Sequence, residues 1–208
     1  MKSEENLMER LQILTKLMKN CLLIICLLSL TNESFSQVRT SVNSGDWSNT
    51  ATWDCGCVPS ASEDAVIASG HNVSLTSNTT INNLTIDSGG LINDDGAGFM
   101  TIDGNITVNG TYTGTKRVNL TGGSGIIIDG TGIINNNDDF IINGDVTIAA
   151  TANLTRLQER FRVKNGVTVT NNGSVIIEGG IQGNGTSATW ITAANSSLKV
   201  GLDLLSTG

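Results

Sequence analysis

The chain has 208 residues, of which 24 are glycine, 4 % aromatic and 15 % charged, with a net charge of −7. That length suits about one domain, and the acidic balance excludes a protein built to hold nucleic acid, whose phosphates reward a basic face. Low charge with abundant Gly, Asn, Thr and Ile also excludes disorder and points to an all-β chain of short strands and tight turns.

Residues 1–36 differ in character from the rest. Lys16 and Lys19 precede CLLIICLLSL at 21–30, and Ser34 and Ser36 supply small residues beyond it. A basic stretch, an apolar core and small residues are the parts of a secretory signal peptide, here expected to be cut after Ser36. Ten apolar residues are too few to span a membrane, and no span is expected in the mature protein. The rival is a lipoprotein acylated at Cys26, but Ile25 before it is too large for that recognition site. Met18 is a second candidate start. Cleavage removes four basic and four acidic residues, so the mature chain keeps −7. It also removes Cys21 and Cys26 and leaves Cys55 and Cys57. An exported pair is expected to be oxidised, although a Cys-X-Cys ring is cramped. With His71 the two thiols make an incomplete zinc set, so a structural role is expected.

Residues 37–80 form the next unit, a cap with the first strands. They hold Trp47, Trp53 and the single proline, Pro59, together with Val58. Large aromatic groups cover apolar area efficiently, and a proline removes a donor from an exposed strand edge. This stretch is expected to lie over the open end of the repeats that follow. The alternative is that the tryptophan rings stack on sugar.

From residue 81 the chain repeats itself to the end. The segments NLTID (83–87), NITVN (105–109), GIIID (125–129), DVTIA (145–149), GVTVT (166–170) and SLKVG (197–201) share a period-two alternation. Their anchors Ile86, Val108, Ile128, Ile148 and Val169 are 22, 20, 20 and 21 residues apart. A gap of 31 then leads to Val200, across a glycine-rich stretch at 178–189 that reads as an insertion. Ile92, Tyr112, Ile134, Leu154 and Val175 make a second column. Met100, Val118, Phe140 and Phe161 make a third, to which Trp190 is added after the insertion. Three short strands per coil of 20–22 residues describe a parallel β-helix, a rod about 25 Å long for five or so coils. Turn residues such as Asn109-Gly110 and Asp129-Gly130 follow the first column and suit sharp corners. A sandwich of hairpins would also use them, but hairpins do not share one period across three columns.

Trp53, Pro59, Asp64, Ile67, Gly70, His71, Val73 and Leu75, followed by Leu84, Ile86 and Gly90, form a pattern that resembles the amino-terminal segment of many bacterial secreted surface proteins. It is also similar to the eight-glycine domain of some animal surface and hyaluronan-processing proteins. The match covers about residues 43–112. The resemblance implies a right-handed parallel β-helix, secreted or at the cell surface, with a structural, adhesive or glycan-binding role and polysaccharide or cell-surface glycans as partners. Many such bacterial proteins carry a carboxy-terminal sorting domain. This chain closes at LLSTG without one, and is expected to be a fragment or a truncated gene product.

No nucleotide-binding loop is present, since the glycines precede strands rather than a helix start. His71, the only histidine, follows Gly70 at a strand start and is expected to be structural. The most suggestive feature is the corner between the second and third columns. Successive coils place Asp94 and Asp95, Lys116 and Arg117, Asp138 and Asp139, then Arg156 and Arg160 there. The expected role is a surface charge ladder that keeps like charges apart. The alternative is a calcium-dependent polysaccharide lyase or hydrolase, in which paired aspartates hold calcium and an arginine takes a proton. The ladder is preferred, with no catalytic residue, no metal and no cofactor; calcium is the one ion weighed.

Overall fold

The computed structural model describes residue 10, residues 12–20 and residues 36–201, without the side chains of Thr155 and Arg156. The chain divides into two compact units, Met1–Phe35 and Ser36–Gly208. In the first, residues 12–20 are helical, as Leu, Lys, Met and Gln favour. Among the described residues no helix is long and apolar enough to cross a membrane. The apolar run at 21–30, with Cys26 and Ser34, lies outside the described residues.

The second unit winds through successive coils. The first contributes β1 (Val38–Thr40) and β2 (Gly45–Asp46), and the second β3 (Asp64–Ile67), β4 (Asn72–Ser74) and β5 (Thr79–Ile81). Then come β6 (Leu84–Ile86), β7 (Leu91–Asp94) and β8 (Met100–Ile102), followed by β9 (Ile106–Val108), β10 (Thr111–Gly114) and β11 (Val118–Leu120). The fifth coil holds β12 (Ile126–Asp129), β13 (Ile133–Asn136) and β14 (Phe140–Ile142). The sixth holds β15 (Val146–Ile148), β16 (Asn153–Leu157) and β17 (Arg160–Lys164). The seventh is β18 (Thr168–Asn171), β19 (Ser174–Ile177) and β20 (Gly180–Asn184), and β21 (Thr189–Thr192) and β22 (Ser197–Val200) open an eighth.

Each strand pairs in parallel with its equivalent one coil away. Three sheets result, of eight, eight and six strands, with six coils contributing to all three. This is the parallel β-helix expected from the repeat. Alternation sends every second side chain inward, and Ile, Val, Leu and Phe from all three sheets form one continuous buried core. Phe140 stacks on Phe161 at 5.7 Å, and Trp190 meets Phe161 edge-on at 5.2 Å. The corners are tight enough to demand glycine. A Cβ on Gly144 would sit 1.8 Å from the carbonyl oxygen of Gly122.

The second and third columns appear as expected up to the seventh coil, with Tyr112 between Ile92 and Ile134 and Phe140 between Val118 and Phe161. Three expectations are corrected. Residues 178–189 are no insertion, because 180–184 form β20, paired along its length with β17. Trp190 therefore belongs to the first sheet, opposite Val169, and residues 197–200 to the second, where Leu198 lies opposite Val175. The first column also shifts register by two. Ile128 lies opposite Ile106 rather than Val108, and Ile148 lies opposite Asn171 rather than Val169.

The repeat also begins earlier than residue 81, since β1 to β5 already stand in the sheets. Within the first coil the Trp-rich stretch replaces the strand that the third sheet would take. A 3-10 turn at Thr50–Thr52, capped by the Asn49 side chain, leads the chain back beside β1. There Trp53 bridges Ser41 in antiparallel fashion, with Val42 N–H donating to Thr52 O at 2.8 Å and Asp54 N–H to Thr40 O at 2.9 Å. That covers the otherwise open edge of the first sheet. Trp47 and Trp53 are each 2 % exposed, packed edge to face at 4.7 Å, and Trp53 Nε1 donates to Trp47 O at 2.8 Å. Neither ring is free to stack on a sugar. Pro59 is buried but lies in a loop rather than on an edge strand, and Val58 is exposed.

Candidate functional site

The corner between the second and third sheets is not one outward ladder. On β7, Ile92 points inward, so alternation carries Asp94 inward two residues later. Asp94 is fully buried. It lies opposite Gly114, which lies opposite Asn136. A Cβ on Gly114 would stand 2.6 Å from that of Asp94, so the glycine leaves the acid room. Tyr112, also fully buried, donates its hydroxyl to Asp94 Oδ2 at 2.8 Å. Among the described residues Asp94 Oδ1 has no hydrogen-bond partner.

Burial pushes the Asp94 carboxyl up to about 7, opposed in part by the Tyr112 hydroxyl and by Lys116. The Tyr112 phenol is held well above its usual range by burial, then by the Asp94 charge. Asn136 donates to Asp138 O at 2.7 Å, which turns the chain outward before β14.

The outward members behave differently from one another. Asp95 and Arg117 are exposed, and Lys116 and Asp138 are half-buried. Arg117 is packed over Phe99, its guanidinium carbon 4.1 Å from the ring centroid. Asp139 is 8 % exposed. It is clamped by two arginines of the next coil, Arg160 Nε at 3.1 Å from Oδ1 and Arg162 Nε at 2.9 Å from Oδ2. Only the Arg160 contact has hydrogen-bond alignment. The side chain of Arg156 lies outside the described residues.

Arg162 is not among the corner residues expected from charge, yet the sequence carries its signal. In RFRVK the arginines alternate with Phe161 and Val163, so both point outward. Asp94, by contrast, is an interior acid and not the surface charge expected.

Of the other candidates, His71 has structural surroundings. Ser41 Oγ accepts from Ala68 N–H at 2.9 Å and lies 2.9 Å from His71 Nδ1. The pair ties the first coil to the second. Ser41 is 2 % exposed, which keeps its hydroxyl from any substrate. Cys55 and Cys57 form a disulfide, with 5.1 Å between their Cα atoms.

No family model, curated protein or solved structure matches the chain. What the corner can do therefore follows from its own chemistry. A calcium ion needs six to eight oxygens, but Asp94 is sealed inside the coil and Asp139 already faces two guanidinium groups. Among the described residues no three His, Cys, Asp or Glu side chains gather as a metal would require. Outward the corner presents both signs, Asp95 and Asp138 among the cations Lys116, Arg117, Arg160 and Arg162.

Proposed function

We infer that the chain is an exported β-helix protein of the bacterial surface or exterior, and that it retains acidic glycan on the outside of the rod in an adhesive rather than catalytic role. The observation that carries this reading is the fixed placement of guanidinium groups on the corner. Arg117 is held against Phe99, and Arg160 and Arg162 converge on Asp139. A planar guanidinium presents paired donors that match a carboxylate or sulfate, and side chains already immobilised lose less freedom on binding. The two groups belong to coils two apart, roughly 10 Å along the rod. Lys16 and Lys19 ahead of the apolar run at 21–30 support export, and so does an oxidised cysteine pair.

The test is retention on an immobilised uronate polymer, with a neutral polysaccharide as control. The native chain is expected to be retained at low salt and released as salt rises. The Arg117→Ala, Arg162→Ala double variant should elute earlier while its melting temperature stays within about 3 °C, as for loss of exposed charges. Equal retention of native and variant chains would remove the reading. Release of unsaturated or reducing sugar from the polymer would replace it with the lyase or hydrolase alternative.

A further inference from the structure

We propose that the Cys55–Cys57 disulfide is a thiol-exchange site, a surface redox group that oxidises an external thiol, rather than a staple of the fold. Three observations lead there. The bond closes a ring between residues only two apart. Such a short loop removes little freedom from the unfolded chain, and the bond joins no two elements of the solenoid. The flanking chain is anchored without it, through the buried Trp53 and Pro59 and the Gly56 N–H donated to Trp53 O at 3.1 Å.

The pair is also accessible. Cys55 is exposed and Cys57 half-buried, and Gly56 between them has a φ of +61° with nothing within 4 Å of a built Cβ. Exposed disulfides are the labile ones.

Finally, the Cys57 N–H points at Cys55 Sγ at 3.1 Å, and Cys57 O lies 3.2 Å from the same sulfur. The Cys57 amide is placed to donate to a thiolate departing on Cys55, and Cys57 O to accept from the thiol it becomes on protonation. The waiting amide makes Cys55 the leaving group.

The exchange balances as follows. An external thiolate attacks Cys57 Sγ and forms a mixed disulfide as the Cys55–Cys57 bond breaks. Cys55 departs as a thiolate. A second external thiol, as its thiolate, then attacks the external sulfur of the mixed disulfide and releases Cys57. Two external thiols become one disulfide, and their two electrons and two protons reside on Cys55 and Cys57.

The test uses the full chain in glutathione buffers of varied ratio, quenched by alkylation and read by mass on the peptide carrying residues 55–57. The bond is expected to open as reduced glutathione comes into about 100-fold excess or less, with the trapped adduct on Cys57. Reduction should shift the melting temperature by less than about 2 °C, and Cys55→Ser should accumulate the glutathione adduct on Cys57. A bond that stays closed across that range would overturn the proposal. So would an adduct found on Cys55, or a fall in melting temperature above about 5 °C on reduction, which would mark a staple.

Discussion

Asp94 is a fully buried carboxyl, and replacing it with asparagine should make the protein more stable at neutral pH and above. Asparagine keeps the shape and an oxygen to accept the Tyr112 hydroxyl, and it removes the buried charge. The carboxyl titrates at about 7 in the folded chain, against an ordinary 3.8. From about pH 4 to about pH 7 the folded chain therefore holds a proton that the unfolded chain has released. Stability contributed by that proton is complete below about pH 4 and is lost as pH rises through 7. At 1.36 kcal/mol per pH unit the loss approaches about 4 kcal/mol, an upper figure because burial is the main cause and the site relaxes. For a chain of this size that is at most roughly 8–16 °C in melting temperature.

The assay is thermal or urea unfolding of native and Asp94→Asn chains from pH 5 to pH 9. Taking their difference cancels every other titrating group. Glu63 acts only below this window. Its carboxyl is held below 4.5 by the Arg39 hydrogen bond and by Ser60, so its contribution is present above that pH and lost on further acidification. The difference has already begun at pH 5, grows by about 1.4 kcal/mol per pH unit up to about pH 7 and is constant above it, with the variant higher. Curves that stay parallel between pH 5 and pH 7 would refute the reasoning, because a constant offset there means Asp94 takes up no proton on folding.

Trp53→Ala should cost about 3–5 kcal/mol, since it removes a fully packed ring and its hydrogen bond to Trp47 O; an unchanged melting curve would place the ring outside the core. Gly144→Ala should destabilise by more than about 2 kcal/mol, because its Cβ meets a backbone oxygen, whereas Gly123→Ala, with nothing within 4 Å of its Cβ, should melt like the native chain. Millimolar calcium should leave the melting temperature of native and Asp138→Ala chains unchanged, and a micromolar site abolished by Asp138→Ala in calorimetric titration would restore the lyase alternative. Exported protein should begin at Gln37 by intact mass, and an acylated Cys26 would establish the lipoprotein alternative instead.

Alternation and spacing were enough to read the architecture. Apolar residues two apart fix which side chains face inward, and a recurrence of about 21 residues across three columns admits a coil but not a set of hairpins. Register was not readable from the same pattern. A shift of two residues leaves every side chain on its own face, so Ile106 and Val108 are equivalent partners for Ile128 until the backbone ladder is seen. Nor was β20 visible in GIQGN, because glycine weakens a strand and only the neighbouring β17 supplies the hydrogen bonds that hold it extended.

The corner divides in the same way. That Arg160 and Arg162 share a face is written in RFRVK, but that both close on Asp139 depends on the coil below. Alternation alone puts Asp94 with Ile92 on the inner face, against the expectation from its charge. Tertiary structure decided the conflict, because Gly114 clears the space beside the carboxyl and Tyr112 reaches it with a hydroxyl from the next coil. An aspartate is kept inside only where a neighbouring strand supplies both.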